Sequence, residues 1–339
     1  MSKTLVDLFS QKLIAWHVRY GRSGLPWQGK RDPYAIWVSE IMLQQTQVAT
    51  VLERYPRFIK RFPTVKKLAA ANIDEVLAEW AGLGYYSRAR NLHGCAQQVV
   101  NEFNGRFPNE PESLEKLKGI GRSTAGAIAA FAFHVRAPIL DANVKRILAR
   151  LFAVEGALEN KSVNDELWSL ADKLLSLIHI SEPTRQANLS NQVLSFPQKA
   201  AKEKSPEFDC DMLLIRSGNF ILLQKRPIKA IWGGLWSLPE STWVAKSDNK
   251  RKPPAIKRIF ERALPKESTS SWLKAFKDVT LGPQIKHVFT HRRLWMQIWE
   301  VATSRNLEPK GEDLRWVLIT QLGRYGLPQP IKILLQGLN

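Results

Sequence analysis

The chain has 339 residues, more than a single hydrophobic core usually serves, so we expect two domains. Lysine and arginine outnumber aspartate and glutamate by 50 to 31, and the formal net charge of +19 favours a polyanionic partner. Nucleic acid is the first candidate; a solvated basic surface and a membrane-surface binder are the alternatives. Two cysteines without C-x-x-C spacing argue against a disulfide framework or a cysteine metal site, and no apolar run reaches the about 18 residues of a membrane span.

The first half of the sequence predicts an all-helical bundle. Apolar residues recur at helical spacing over residues 5–174, and Asn72 and Ser113 are candidate helix caps. The N-terminal twenty residues carry charges among their apolar positions, so we expect no signal peptide.

The first candidate catalytic residue is Glu40, on a helix predicted within residues 36–48. Most of its neighbours are apolar, which raises the pKa of a carboxyl and keeps it ready to donate a proton. Periodicity alone leaves open a surface glutamate on the polar stripe. Gln44, Gln45 and Thr46 follow at one helix end, where amide and hydroxyl groups suit contacts with base edges.

A glycine turn is predicted at residues 117–125, between helices over residues 112–117 and 124–133. Gly119 and Gly121 permit a tight turn and a close backbone approach, while the next helix N-terminus offers free N–H groups to a phosphate. An ordinary turn is the alternative, because short glycine motifs often match by chance.

A second candidate acid, Asp141, follows this turn by one helix length. A carboxylate placed there can stabilise or capture the oxocarbenium-like sugar that forms when a glycosidic bond breaks. Its structural alternative, a helix N-cap near Asn143, is compatible with that role.

The second half of the sequence predicts an α+β domain. It has a β-hairpin at residues 210–225, strands at 285–290, 294–301 and 314–318, and a closing helix at 331–338. Residues 232–240, read WGGLWSLPE, follow the hairpin and resemble a Nudix-type fold. Residues 248–261 are rich in lysine and proline and lack the Arg-Glu and Glu-Glu pairs whose carboxylates would gather Mg²⁺ in a Nudix phosphohydrolase, so we expect a recognition role.

Together these motifs closely resemble the adenine DNA glycosylase (MutY) family of the helix-hairpin-helix superfamily, over most of the chain. The shared motifs are residues 25–27, 32–34, 39–48, 82–91, 119–126 and 140–146. The resemblance implies a base excision repair enzyme that removes adenine mispaired with 8-oxoguanine or guanine from duplex DNA. It implies that Glu40 protonates the adenine, that Asp141 stabilises or captures the sugar cation, and that Asn143 orders the active site.

The resemblance also implies the residues that contact DNA. Gln45 and Tyr85 would wedge into the duplex where a base is extruded, although core packing at a helix turn is the alternative for Tyr85. Ser123 stands where strand-nicking relatives carry a lysine, which predicts a monofunctional enzyme. The expected DNA-binding set is Gln44, Gln45, Thr46, Tyr85, Arg88, Gly119, Gly121 and Ser123. Phe289, Thr290 and His291 match the family loop that contacts 8-oxoguanine, with a surface strand end as the alternative for His291.

The predicted organisation is therefore multi-domain, α followed by α+β. It comprises a helical glycosylase domain at 1–174, an aberrant segment and linker at 175–209, and a Nudix-like domain at 210–339. The family carries a 4Fe-4S cluster on four cysteines after the catalytic helices, but these ligands and the helix before them are missing here. We assign no other metal.

Residues 178–185 read like a translated sequencing adapter, which suggests an assembly artefact or a deletion that resequencing the locus would test. Two alternatives to the adenine-specific enzyme stay open: a glycosylase that removes another base, and a catalytically impaired DNA-binding protein. We expect a monomer in the bacterial cytoplasm, with the chromosome and away from membranes.

Overall fold

The computed structural model describes residues 13–176, 196–198, 205–246, 278–303, 309 and 312–338. Most of the predicted aberrant segment, and all of residues 248–261, lie outside these ranges. The described residues form two compact units that are each discontinuous in sequence. Unit 1 contains residues 13–70, 91–176 and 196–198, and unit 2 contains residues 71–90 together with the described residues from 205 onward.

Unit 1 is helical, as its apolar periodicity predicts. In chain order the helices with defined bounds, including α4 of unit 2, are α1 (Pro33–Leu43), α2 (Val48–Arg61), α3 (Val65–Ala69), α4 (Ile73–Glu79), α5 (Ser87–Phe103), α6 (Pro111–Glu115), α7 (Arg122–Phe133), α8 (Ala142–Phe152) and α9 (Lys161–Ser176). Residues 13–20 are also helical. Helix α5 begins in the sequence of unit 2 and continues into unit 1.

Local sequence explains where several of these helices begin. The Asp32 side chain accepts a hydrogen bond from the Tyr34 backbone N–H at 3.1 Å, and Pro33 occupies the first turn of α1. Asn72 caps α4 as predicted, through the Asp74 backbone N–H at 2.8 Å. Ser113 is not a cap, because α6 begins two residues earlier, at Pro111, and Glu110 occupies the cap position.

Unit 2 contains a seven-stranded mixed sheet among its described residues. Its strands are β1 (Glu207–Ser217), β2 (Phe220–Lys225), β3 (Trp236–Ser237), β4 (Val244–Ala245), β5 (Asp278–Val288), β6 (Arg293–Ala302) and β7 (Leu314–Leu318). The main order is β3-β2-β1-β6-β5, with β4 beside β1 and β7 beside β2. Only β1 and β6 of this set run parallel; the other described pairs are antiparallel.

The predicted hairpin is confirmed by the pairing of Ser217 with Phe220, which closes a turn over two residues between β1 and β2. Strands β6 and β7 lie within one residue of their predicted bounds. The strand predicted at 285–290 is only partly right: β5 begins seven residues earlier, because its pairing with β6 extends back to Asp278, and it ends at Val288, before Phe289 and Thr290. The closing helix, α10, spans Gln329–Gln336 after a 3₁₀ turn at Ile319–Arg324 and begins two residues before its predicted start. No helix in the described part of the chain is long and apolar enough to cross a bilayer.

Candidate active site and DNA interface

Glu40 lies on α1 between the buried side chains of Ser39 and Ile41, and it is itself partly buried. Burial, together with the negative charge of Asp141 as a smaller cause, raises the pKa of this carboxyl from its ordinary value of 4.5 to about 7. The expectation of a raised pKa is therefore confirmed. At neutral pH a large share of Glu40 carries the proton that a general acid must donate.

Asp141 is the N-cap of α8, and its Oδ1 accepts hydrogen bonds from the backbone N–H groups of Asn143 at 2.9 Å and Val144 at 2.7 Å. The predicted cap is confirmed. Since Asp141 acts on the pKa of Glu40, the structure brings the two predicted acids of unit 1 within electrostatic reach of each other. Asp141 remains exposed, so a substrate can approach it.

Helix α7 ties the segments that carry the two acids. At its first turn, the Thr124 hydroxyl oxygen accepts a hydrogen bond from Gln44 Nε2 at 3.2 Å, at the C-terminal end of α1. The neighbouring Ser123 hydroxyl oxygen accepts from the Leu140 backbone N–H at 3.2 Å, one residue before Asp141. These two bonds hold the end of α1 and the segment before Asp141 against the first turn of α7.

A glycine allows this arrangement. A Cβ at Gly126 would lie 2.4 Å from the backbone oxygen of Pro138, so only glycine lets the segment before Asp141 pass so close to α7. Thr124 and Gly126 were not among the predicted site residues, because no local pattern shows which backbone a small residue will face.

The glycine turn lies between α6 and α7 as predicted, although α6 ends at Glu115 and α7 begins at Arg122. Gly119 has φ +77°, in the left-handed region, and a Cβ there would lie 2.7 Å from Asn91 Cβ. Gly121 is exposed, with open space where its Cβ would be. A phosphate can therefore approach the backbone at the start of α7.

Both predicted wedge residues adopt strained backbone conformations. Gln45 has φ +55° and Tyr85 has φ +46°, values that are uncommon outside glycine, and both side chains are exposed. The core-packing alternative therefore does not hold for Tyr85, whereas the adjacent Tyr86 is buried. Exposed side chains on a strained backbone are typical of residues placed for contact with a ligand.

Unit 2 has a cleft of about 660 Å³ that contains the predicted lesion-reading loop. Its lining includes Tyr85, Arg90, Trp232, His287, Thr290 and His291. The Tyr85 hydroxyl and Thr290 Oγ1 are 2.8 Å apart and hydrogen-bonded. The Phe289 ring packs on His287 and Trp232, with centroid distances of 4.5 and 5.1 Å. This cluster of aromatic side chains supports the exposed Thr290 and His291.

The predicted site residues Arg88, Asn143 and Ser123 also have bonding partners within the protein. The Arg88 guanidinium donates to the backbone oxygens of Leu83 at 2.9 Å and Gly84 at 3.2 Å, and burial lowers its pKa to about 10. It thus braces the loop that presents Tyr85. Asn143 Oδ1 accepts from Arg146 at 3.3 Å, and the Ser123 hydroxyl holds the backbone before Asp141, as described above.

The raised pKa of Glu40 predicts a cost in stability. Below its ordinary pKa of 4.5 the native and unfolded states are both protonated; between pH 4.5 and about 7 only the unfolded state ionises freely, so stability falls as pH rises. We expect Glu40→Gln to raise the free energy of unfolding at pH 8 by about 1–3 kcal/mol, after allowance for solvent screening, and to have little effect at pH 4.5. Urea unfolding at both pH values measures this, and equal effects at both would contradict it.

The cysteines do not fit the cluster that the family resemblance implies. A 4Fe-4S cluster takes four cysteine thiolates, whereas the sequence contains only Cys95 and Cys210. Both are buried, and burial raises the pKa of the Cys95 thiol to about 12, which opposes the thiolate form. Among the described residues no group of three or more His, Cys, Asp or Glu could hold a metal ion.

Residues 38–173 match the family described as "HhH-GPD superfamily base excision DNA repair protein", and residues 211–337 match the NUDIX domain. With the two acids and the glycine turn, these matches define a base excision DNA glycosylase of the helix-hairpin-helix class, joined to a Nudix-like domain.

The curated relatives narrow this class. The adenine DNA glycosylase of Buchnera aphidicola subsp. Acyrthosiphon pisum is 33% identical over 358 residues, covering 97% of each chain, and that of subsp. Baizongia pistaciae is 30% identical over 359 residues, covering 96% of this chain and 95% of the relative. The human adenine DNA glycosylase is 30% identical, covering 88% of this chain and 67% of that protein. The chain belongs to the adenine DNA glycosylase family. The alignments are longer than the 339 residues of this chain, so the relatives carry residues without a counterpart here.

Proposed function

We propose that this DNA glycosylase releases adenine mispaired with 8-oxoguanine or guanine in duplex DNA, and that it leaves an abasic site without cutting the strand. The observation that carries the proposal is the pairing of a carboxyl held near neutral pKa, Glu40, with an exposed second carboxylate, Asp141, in one unit. An acid for the leaving base and an anion for the sugar are the two groups that glycosidic hydrolysis needs.

In this mechanism Glu40 donates its proton to a ring nitrogen of adenine, and the bond between that base and C1′ of the sugar breaks. The positive charge that develops on the sugar is stabilised by Asp141, which lies at the N-terminus of α8. Glu40, now ionised, accepts a proton from the water that attacks C1′. Ser123 has no amine to form a Schiff base, so nothing at this position supports strand cleavage.

Duplex DNA hides the adenine, so the base must be extruded before this chemistry. We assign the wedge contacts to Gln45 and Tyr85, whose exposed side chains suit insertion between bases. Gly119 and Gly121 offer their backbone to a phosphate, and Thr290 and His291 read the base opposite the adenine. We further propose a monomer that acts with the chromosome in the bacterial cytoplasm.

A single-turnover assay with protein in excess tests the proposal. Its substrates are duplexes with adenine opposite 8-oxoguanine, guanine or thymine, and thymine opposite 8-oxoguanine. We expect free adenine from the first two, little from adenine opposite thymine, and strand breaks only after alkaline treatment. Release of thymine, or breaks without alkali, would contradict the assignment.

The second candidate is a catalytically impaired DNA-binding protein. Two observations favour it: the chain has two buried cysteines where the family's cluster needs four, and the relatives carry residues without a counterpart here. Both indicate that a part of the family's architecture is missing. The same assay separates the two candidates: tight binding to adenine opposite 8-oxoguanine without release of adenine over hours would establish the impaired protein.

A further inference from the structure

Residues 71–90 belong to the same compact unit as the sheet, although in sequence they lie among the helices of the glycosylase half. They contain α4 and the loop that presents Tyr85. The contacts inside unit 2 show what holds this segment in place.

The first contact is an ion pair. Asp74, in the first turn of α4, lies against Lys225 at the end of β2, with Nζ 3.0 Å from Oδ1 and 3.2 Å from Oδ2. The two side chains are only 19% and 28% exposed, so solvent screens this pair less than it would a surface pair. Lys225 Nζ also lies 5.4 Å from the centroid of the Trp236 ring, which fixes its direction.

The second contact depends on the absence of a side chain. A Cβ at Gly326 would lie 2.8 Å from Leu77 Cβ and 3.0 Å from Leu235 Cδ2. Leu77 is on α4 and is fully buried, so it cannot move aside easily. Glycine at position 326 is therefore what lets α4 pack against the sheet domain.

The remaining contacts flank Tyr85 itself. The buried Tyr86 hydroxyl donates to the Leu327 backbone oxygen at 3.4 Å, and the Arg90 guanidinium donates to the Gly233 backbone oxygen. Within the segment, Trp80 Nε1 donates to the Gly84 backbone oxygen at 3.1 Å, which joins the end of α4 to the loop. A shift of α4 would therefore displace Tyr85 relative to Thr290.

We propose that Asp74, Lys225 and Gly326 are positioning residues that determine specificity: they hold α4 so that Tyr85 stays with the Thr290–His291 loop. They set the discrimination between 8-oxoguanine and guanine opposite adenine and take no part in releasing the base. This inference rests on the proposed function, because it requires that the cleft of unit 2 reads the opposite base.

The experiment compares affinities of the full chain for two duplexes, each with non-cleavable 2′-fluoro-2′-deoxyadenosine opposite either 8-oxoguanine or guanine. The variants are Asp74→Lys, Gly326→Ala and the charge swap Asp74→Lys/Lys225→Asp. We expect each single variant to lower the ratio of the affinity for the 8-oxoguanine duplex to that for the guanine duplex about tenfold. Asp74→Lys does so because it breaks the ion pair, and Gly326→Ala because it overpacks the contact with Leu77. The swap should restore the ratio to within about threefold of the original chain, because it re-forms the pair.

Two controls match these changes. Gly323→Ala adds a methyl group three residues before Gly326, in the 3₁₀ turn at Ile319–Arg324, where nothing lies within 4 Å of the added atom. Glu115→Lys makes the same charge change as Asp74→Lys at an exposed position of unit 1. Both should leave the ratio unchanged. Melting temperatures are recorded for every variant, so that a loss of fold is separated from a loss of discrimination.

The outcomes separate the two hypotheses. An original chain that binds both duplexes equally would refute 8-oxoguanine reading and this inference with it. An original chain that discriminates, with folded single variants that discriminate as well or a swap that restores nothing, would overturn the inference alone.

Discussion

Glu40→Gln should lower the single-turnover rate of adenine release by about 10³-fold at pH 7, since glutamine cannot donate the proton that the leaving base needs. The partly buried position on α1 accepts an amide of the same shape, so the variant should fold and bind mispaired DNA as the original chain does. Rates measured with protein in saturating excess isolate this step from binding. The exposed Glu53→Gln on α2 is the matched control and should keep the full rate.

The pH profile gives the same prediction a second measurement. Because the pKa of Glu40 is about 7, the protonated fraction falls as the pH rises through that value, and the rate of the original chain should fall with it. Equal rates for Glu40→Gln and the original chain at pH 6 would remove Glu40 from the chemistry.

Asp141→Asn should lower the rate of adenine release by about 10²-fold, because the amide cannot balance the charge that develops on the sugar. Asparagine caps a helix about as well as aspartate, so α8 should keep its stability. The matched control is Asp32→Asn, which makes the same change at the N-cap of α1 and should leave the rate unaltered. Single-turnover rates and melting temperatures of both variants test this.

The same variant should also move the pH profile. The charge of Asp141 raises the pKa of Glu40, so its removal lowers that pKa and brings the fall in rate to lower pH. A rate loss in Asp141→Asn without any displacement of the profile would show that the two carboxyl groups do not interact.

The elements that the sequence predicts well are those with a local signal. The alternation around Ser217 predicts the hairpin, and the cap residues Asn72 and Asp141 act within two or three residues of their own position. The raised pKa of Glu40 follows from apolar neighbours on its own helix. Each of these depends on residues adjacent in the chain.

The features that sequence reasoning misses depend on distant partners. Nothing near Gly126 or Gly326 indicates which backbone or side chain will approach it, and nothing near Asp74 points to Lys225. Periodicity also identifies a shared face without showing that a partner covers it. Leu13 and Trp16 have helical spacing, yet they are 48% and 56% exposed.

The placement of α4 has a consequence for biosynthesis. Ribosomes add about 5–20 residues per second, so Leu77 emerges many seconds before Gly326, against which it packs in the folded unit. During that interval the nascent chain exposes Leu77, a side chain that is fully buried in the folded unit. The segment that presents Tyr85 therefore matures only after translation has reached Gly326, and a chain truncated before that residue should be a target for chaperones and proteases.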